Sequence, residues 1–161
     1  MEFKTADLCD AHSEIIRIAC PGMLSYGGNA RFSGRIITLK LFEDNSLLRD
    51  MLNNSGEDKV IVVDGGGSMR CALLGDMLAG KAANNNWNGL VINGCIRDSA
   101  DIAKMNIGIR ALGTHPLKSV KRGVGEMNVP VSFSNVEFMP GNYLYADEDG
   151  IIVAQEDLIP A

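Results

Sequence analysis

Four charged side chains in the middle of the sequence have types and spacing that could support catalysis. Asp76 is separated by 20 residues from the adjacent pair Arg97 and Asp98, and Asp101 lies three positions after Asp98. Carboxylates can hold a divalent cation or move a proton, and a guanidinium can stabilise an oxyanion. At a helix start, however, Asp98 could be an N-cap and Asp101 could interact with the helix dipole, with Arg97 as an ion-pair partner. Spacing alone favours this structural interpretation.

The elements predicted around these residues would bring them to one rim of a sheet. Residues 75–78 have the pattern of a helix start, and the apolar residues 89–92 predict a buried strand. A second helix start follows just beyond Arg97 and Asp98. Asp76 and this pair then lie on neighbouring loops, where α/β folds place ligand sites.

The rest of the chain predicts an α/β fold in which helices cover a mixed sheet. Residues 60–63 form a β-branched run typical of a strand buried on both faces. Thr5 is predicted to cap a helix that reaches His12, and Asn45 and Ser46 to cap another over 47–52. Further short strands are predicted at 32–42, 107–112, 129–133, 136–138, 143–146 and 150–154. The length of 161 residues predicts one domain, 1–161.

Three consecutive glycines follow the β-branched run, in the segment Asp64 to Ser68. Glycines permit a sharp turn and a close approach to the backbone. No Gly-Lys-Ser/Thr follows, so the segment is not a Walker loop. A packed strand-to-helix turn is favoured over a phosphate cradle.

Composition excludes several classes of function. The net charge is −5, and the densest basic stretch, residues 118–122, carries three charges, which argues against direct nucleic-acid binding. An acidic surface could still attract a basic protein partner. The sequence contains no run of about 18 apolar residues, so no membrane span is predicted. Four dispersed cysteines and the absence of a signal-like N-terminus predict a cytoplasmic protein.

Only two histidines occur, His12 and His115, so a metal would be held mainly by oxygen, which favours Mg²⁺ or Mn²⁺. We assign no role to His115, which precedes Pro116 in a predicted loop. A Schiff-base mechanism would need a desolvated lysine, whereas Lys59 and Lys81 are expected to flank structure and to be solvated. Cys71 and Cys95 are expected to serve packing.

Taken together, the motifs resemble those of the RraA-like family, which includes the class II 4-hydroxy-4-methyl-2-oxoglutarate aldolases. The resemblance rests on Asp-x20-Arg-Asp and on three further stretches, and it runs from Thr5 to Val153. Those stretches are Val-Asp-Gly-Gly-Gly-Ser-Met-Arg (63–70), Gly-Leu-Val-Ile-Asn-Gly (89–94) and Tyr-Ala-Asp (145–147) before Gly-Ile-Ile-Val (150–153). It implies a swivelling β/β/α fold and a ring-like homotrimer.

The resemblance also implies a role for each candidate residue. Arg97 would hold the keto or enolate oxygen of a 2-oxo acid, and Asp98 would bind the divalent cation directly. Asp76 and Asp101 would act through water on that cation, as supporting or proton-transferring groups. The substrate-binding loop would present backbone amides to the substrate carboxylate and consists of Gly75, Asp76, Met77 and Leu78.

Two functions follow from this resemblance. One is a metal-dependent lyase that cleaves 4-hydroxy-4-methyl-2-oxoglutarate to two pyruvates and decarboxylates oxaloacetate through the same pyruvate enolate. The other is a regulator that binds and inhibits an endoribonuclease of the RNase E type, which would need an acidic surface and no metal site. Because a pure regulator has no use for Asp76, Arg97 and Asp98 together, the enzyme is preferred. The resemblance also implies that longer aldolases of the family bring a further carboxylate from a C-terminal extension of a neighbouring subunit; this chain stops at Ala161, so its proton donor is unassigned.

Overall fold

The computed structural model describes residues 2–160, which form a large mixed sheet with helices packed mainly on one face. The helices in this range are α1 (Thr5–His12), α2 (Ser46–Met51), α3 (Asp76–Asn84) and α4 (Ser99–Ile102). The strands are β1 (Ile16–Ile18), β2 (Leu24–Ser25), β3 (Phe32–Lys40), β4 (Lys59–Asp64), β5 (Ala72–Leu74), β6 (Gly89–Ile96), β7 (Gly108–Thr114), β8 (Glu126–Met127), β9 (Val131–Phe133), β10 (Val136–Phe138), β11 (Tyr143–Asp147) and β12 (Gly150–Ala154).

Parallel strands form the centre of the sheet. The strand order is β1-β12-β11-β3-β4-β6-β7-β2, with β5 paired to β6 and β8 paired to β3. The pairs β3–β4, β4–β6, β5–β6 and β6–β7 are parallel, whereas the outer pairs are antiparallel. Parallel strands joined by crossover helices end at the same edge, so the loops after β5, β6 and β7 lie side by side.

The central strand β4 is buried on both faces, as the β-branched run predicts. Ile61 and Val63 join a core beneath the helices, where they pack with Leu48 of α2, Ala79 of α3 and Ile102 of α4. Alternate side chains of a strand point to opposite faces. The other two residues, Val60 and Val62, therefore enter a second core with Phe138 and Leu144.

The mixed α/β fold is confirmed, but helices do not cover both faces of the sheet. The second face is covered by the β9–β10 hairpin, whose Val131, Val136 and Phe138 are buried in the second core. A third core lies under α1 and contains Leu8, Tyr145 and Ile152 among others. Within residues 2–160, no helix is long and apolar enough to cross a membrane.

Neither Thr5 nor Asn45 caps its helix with its side chain, although Asn45 does occupy the N-cap position of α2. Thr5 is the first residue of α1 rather than its cap, and its backbone N–H and hydroxyl both donate to the buried carboxylate of Asp147 at 2.7 Å. Asn45 precedes α2 but donates its side-chain amide to the carbonyl of Leu73. Both side chains satisfy buried groups distant in the sequence, which local capping patterns do not reveal.

Candidate functional site

The candidate site lies where the parallel neighbours β5 and β6 end. Leu74 of β5 pairs with Ile96 of β6, and the Arg97 backbone N–H donates to the Leu74 carbonyl at 2.8 Å. The residues that follow, Gly75 with Asp76 and Arg97 with Asp98, are therefore adjacent at one edge of the sheet. Asp76 starts α3 and Asp98 precedes α4, so the two strand-to-helix junctions form the site.

A hydrogen bond connects the two junctions directly. The backbone N–H of Asp76 donates to Oδ2 of Asp98 at 3.0 Å. A Cβ atom on Gly75 would lie 2.9 Å from the same oxygen and 3.3 Å from Nε of Arg97. Glycine at position 75 therefore allows both side chains to approach the start of α3.

Asp98 has an unusual backbone conformation, with φ 57° and ψ 38° in the left-handed region. Aspartate enters this region more readily than most residues other than glycine. Its carbonyl accepts from the Asp101 and Ile102 N–H groups, so it occupies the N-cap position of α4. Its side chain does not cap α4, because the carboxylate turns toward α3 instead.

Arg97 does not pair with Asp98 as the structural interpretation expected. Among residues 2–160, Arg97 makes no ion pair within 4.0 Å, and Nη1 donates only to the Pro116 carbonyl, at 3.4 Å. The side chain is half-buried beside the exposed Asp98. A guanidinium has five N–H donors, so Arg97 can donate to a ligand in this cleft.

The other predicted site residues surround this pair. Met77 follows Asp76 in the first turn of α3 and is 84% exposed, and Leu78 is half-buried. The first N–H groups of a helix have no acceptor within it, so Met77 and Leu78 present free amides. Asp101 is exposed in the first turn of α4, three residues from Asp98.

One carboxylate oxygen of Asp98 could serve as a ligand to a metal ion. No group of three or more His, Cys, Asp or Glu side chains in residues 2–160 is arranged to hold a metal ion. Oδ1 of Asp98 accepts no hydrogen bond from any described residue, which leaves it available as a ligand. Mg²⁺ is commonly held by one or two carboxylates and completed by water and substrate, which fits Asp98.

The glycine segment forms a packed turn, as the favoured interpretation expects, but the turn leads from β4 to the short strand β5 and not to a helix. Gly66 and Gly67 have φ +68° and +72°, which glycine adopts at low cost. A Cβ on Gly65 would lie 2.6 Å from Leu73 and 2.7 Å from the Asn93 carbonyl. The turn therefore fits its neighbours rather than an external phosphate.

The alternative nucleophiles lie in unsuitable surroundings. Lys81 lies within α3 and Lys59 begins β4, so neither merely flanks structure; their amines donate to backbone carbonyls at 3.4 Å. Cys71 and Cys95 are buried, and burial raises the pKa of both thiols. A raised thiol pKa disfavours the reactive thiolate, which supports the packing role.

One neighbour of the site was missed by the sequence analysis. The segment after β7 contains His115 and Pro116, and the Pro116 carbonyl faces Arg97. The strand predicted at 107–112 was a partial signal, because a strand parallel to the one at 89–92, as β7 is to β6, ends at the same edge of the sheet. The sequence analysis places His115 in a loop and assigns it no role.

Fold and site together define an α/β protein in which neighbouring parallel strands carry an arginine and carboxylates to one edge of the sheet. This chain belongs to the RraA-like family: the family model described as Aldolase/RraA matches residues 5–153. The expected extent of the resemblance, Thr5 to Val153, is thereby confirmed.

Close relatives carry the name of an aldolase. A protein of Laribacter hongkongensis (strain HLHK9) is 57% identical over 99% of this chain and all of its own length, and is named "Putative 4-hydroxy-4-methyl-2-oxoglutarate aldolase". A protein of Azotobacter vinelandii (strain DJ / ATCC BAA-1303) with the same name is 55% identical over 98% of each chain.

Similar solved structures bear other names. One, titled S-adenosylmethionine:2-dimethylmenaquinone methyltransferase from Geobacillus kaustophilus HTA426, is 49% identical with a TM-score of 0.95 over 97% of each chain. Another, titled the RNA-processing inhibitor RraA from Thermus thermophilis, is 44% identical with a TM-score of 0.94 over all of this chain and 96% of that one. Because one fold can serve several activities, the activity of this chain has to be inferred from the residues of its site.

Proposed function

We propose that this protein is a divalent-metal-dependent lyase that cleaves 4-hydroxy-4-methyl-2-oxoglutarate into two pyruvates and decarboxylates oxaloacetate. The observation that carries the proposal is the 3.0 Å bond from the Asp76 N–H to Asp98, formed beside an Arg97 guanidinium that has no ion-pair partner among residues 2–160. The aldolase names of relatives that match over nearly their whole length support the cleavage of 4-hydroxy-4-methyl-2-oxoglutarate.

The start of α3 is suited to bind the substrate carboxylate. The free amides of Met77 and Leu78 lie at the positive end of a nine-residue helix. Backbone N–H groups at a helix start bind carboxylates well. The 2-oxo group next to the bound carboxylate would then lie toward Arg97, which follows the neighbouring strand.

Arg97 is the residue assigned to the oxygen that becomes negative. Loss of the proton from the C4 hydroxyl and cleavage of the C3–C4 bond release one pyruvate and leave the enolate of a second. Protonation of C3 then completes the second pyruvate. A fixed donor aimed at such an oxyanion contributes about 10² to 10³ in rate. Loss of CO₂ from oxaloacetate leaves the same enolate, so one site can serve both reactions.

Asp98 would hold the divalent cation directly, and Asp101 would hold it through water. When bound, the cation would neutralise negative charge that develops on the 2-oxo oxygen, a contribution of several kcal/mol. The backbone N–H of Asp76 donates to Asp98. The side-chain carboxylate of Asp76 takes no part in that bond and would transfer protons through water.

The proposal is tested by pyruvate release from both substrates with Mg²⁺ or Mn²⁺ and with excess chelator. Reactions without enzyme are needed because oxaloacetate also decarboxylates in solution. Wild-type protein should release pyruvate only with metal, and Asp98→Ala should release none above background. Equal rates with and without chelator, or no release from either substrate, would overturn it.

We also propose that the protein assembles as a homotrimer. Phe42, Leu117 and Val120 are each about half exposed and line one cavity of about 280 Å³. Apolar side chains grouped at a surface commonly mark an interface between subunits. Light scattering coupled to gel filtration should give three times the 17.3 kDa chain mass.

Inhibition of an RNase E-type ribonuclease is a second candidate, supported by the structural relative named as an RNA-processing inhibitor. Such binding would use the acidic surface and not the Arg97–Asp98 edge. Asp98→Asn should therefore leave ribonuclease inhibition unchanged while it removes pyruvate release. A parallel loss of both activities would place the partner at the catalytic edge.

A further inference from the structure

A side-chain-to-backbone turn follows β7 beside the candidate site. The backbone N–H of Leu117 donates to Nδ1 of His115 at 3.1 Å. An imidazole nitrogen that accepts a hydrogen bond carries no proton, so neutral His115 has its proton on Nε2. The ring thus closes a turn around Pro116.

Backbone hydrogen bonds hold this turn against the two strands that lead into the site. The His115 N–H donates to the Ile96 carbonyl at 2.9 Å, one residue before Arg97. The Leu117 carbonyl accepts from the Ala72 N–H of β5 at 2.7 Å. Pro116 lies between these two anchors, so its carbonyl has a defined direction.

That carbonyl is the acceptor for Arg97, with 3.4 Å between Nη1 and the oxygen. Since Arg97 makes no ion pair with any described residue, this contact and its own packing must set the direction of the guanidinium. A long arginine side chain has many rotamers, and a fixed acceptor reduces that freedom.

We propose that His115 is a positioning residue for Arg97: its Nδ1 holds the turn that aims the Pro116 carbonyl at the guanidinium. The inference rests on the proposed lyase reaction, in which Arg97 meets the enolate oxygen. His115 does not itself touch the reacting atoms. It acts through the Leu117 amide, the Pro116 carbonyl and Arg97, in that order.

Two substitutions test whether His115 acts through the hydrogen-bond acceptor Nδ1 or through the bulk of its ring. His115→Asn places an oxygen where Nδ1 lies and can accept from the Leu117 N–H in an Asx turn. His115→Phe keeps a ring but has no acceptor. We expect the Phe variant to lose about 10- to 100-fold in kcat with a small change in KM, and the Asn variant to retain most activity.

A double variant tests whether the effect passes through Arg97. If His115 acts by aiming Arg97, His115→Phe should cost nothing further once Arg97 is alanine. A further loss of the same size in the Arg97→Ala background would overturn the inference. So would equal kcat losses in His115→Asn and His115→Phe.

A readout that does not depend on activity separates this inference from the proposed function. The ¹H–¹⁵N signal of Arg97 Nε should report an ordered side chain in wild type and His115→Asn, and a mobile one in His115→Phe. An unchanged Arg97 signal in the Phe variant would overturn the positioning role whatever the activity. If the signal responds but wild type releases no pyruvate, the lyase proposal fails and the positioning role stands. If the Phe variant does not fold, His115→Ala takes its place in each comparison.

Discussion

The backbone N–H of Asp76 donates a 3.0 Å hydrogen bond to Oδ2 of Asp98, although the two residues are 22 positions apart. This bond uses one carboxylate oxygen to fix the start of α3 and leaves the other for a ligand. The same contact therefore links the predicted carboxylate-binding amides to the predicted metal ligand. Loss of the acceptor at position 98 should therefore affect both functions, whereas a substitution at Asp76 keeps the backbone N–H.

Asp98→Asn should separate the charge of the side chain from its structural role. Asparagine tolerates the left-handed backbone and can still accept from Asp76, so the free energy of unfolding should change by less than about 1 kcal/mol. Pyruvate release should fall by about 10²-fold or more because the anionic ligand is lost. Denaturant titration and a coupled pyruvate assay on the same preparation measure the two effects.

Asp98→Ala and Asp101→Asn serve as comparisons for that variant. Alanine at 98 should also be unstable by about 1–2 kcal/mol, because the left-handed conformation is costly for it. Asp101→Asn should lower pyruvate release by only about 10-fold, clearly less than Asp98→Asn, as expected for a group that acts through water. Equal losses in Asp98→Asn and Asp101→Asn would contradict the assignment of Asp98 as the direct ligand.

Gly75→Ala should damage activity with little effect on stability. The added Cβ would lie 2.9 Å from Oδ2 of Asp98 and 3.3 Å from Nε of Arg97, so both side chains must move. The backbone at Gly75 has φ −123°, which alanine adopts without strain. We expect a loss in kcat of about 10²-fold, since small displacements of catalytic groups are costly.

Gly80→Ala is the matched control, at a glycine inside the helix that Gly75 precedes. A Cβ at Gly80 meets no atom within 4 Å, so it has room. Alanine stabilises a helix interior by about 0.5–1 kcal/mol relative to glycine, and the thermal midpoint should rise. Activity should remain at the wild-type level, and a loss equal to that of Gly75→Ala would argue against a local steric effect.

Arg97→Lys should not rescue the loss expected in Arg97→Ala. Both should lower kcat by about 10² to 10³, because lysine keeps the charge but lacks the planar array of donors. Comparison of kcat and KM for both substrates measures this effect. A lysine variant with near wild-type kcat would show that charge alone suffices and that guanidinium geometry is unimportant.

The location of the site could be predicted from the sequence because apolar runs identify buried parallel strands. The apolar runs at 60–63 and 89–92 lie in β4 and β6, which pair as parallel neighbours. Residues that follow parallel strands lie at the same edge of the sheet. Asp76 could be placed only approximately, because β5 has three residues and no detectable periodicity. Short strands are defined by their partners rather than by their own pattern.

Details within the site depend on tertiary contacts that a local pattern does not contain. The carboxylate of the left-handed Asp98 turns toward α3, where the absence of a Cβ on Gly75, 23 residues earlier, leaves room for it. The spacing of Asp98 and Asp101 is equally compatible with a helix cap. Likewise, the contact of Arg97 with Pro116 requires the parallel pairing of β6 and β7.

The environment of Asp44 leads to a separate prediction about how the free energy of unfolding changes at acid pH. It is buried, and its carboxylate accepts from the hydroxyl and N–H of Ser46 and from the N–H groups of Arg122 and Val124. Burial alone would raise the pKa of Asp44, but these hydrogen bonds outweigh it and lower the pKa from 3.8 to about 2. The carboxylate therefore connects the start of α2 to the 122–124 loop most strongly when it is ionised.

The folded-state pKa of Asp44 lies below its unfolded value, so its contribution is full above about pH 4 and is lost as the pH falls toward 2. The full contribution is about 2 kcal/mol. Unfolding free energies from urea titrations should differ between wild type and Asp44→Asn most near neutral pH. That difference should shrink by most of this amount at about pH 2.5, because Asp44 of the unfolded chain is then mostly protonated and ionising it on folding offsets most of what its hydrogen bonds contribute. A difference that stays constant from neutral pH to pH 2.5 would mean that the ionised form of Asp44 does not stabilise the fold.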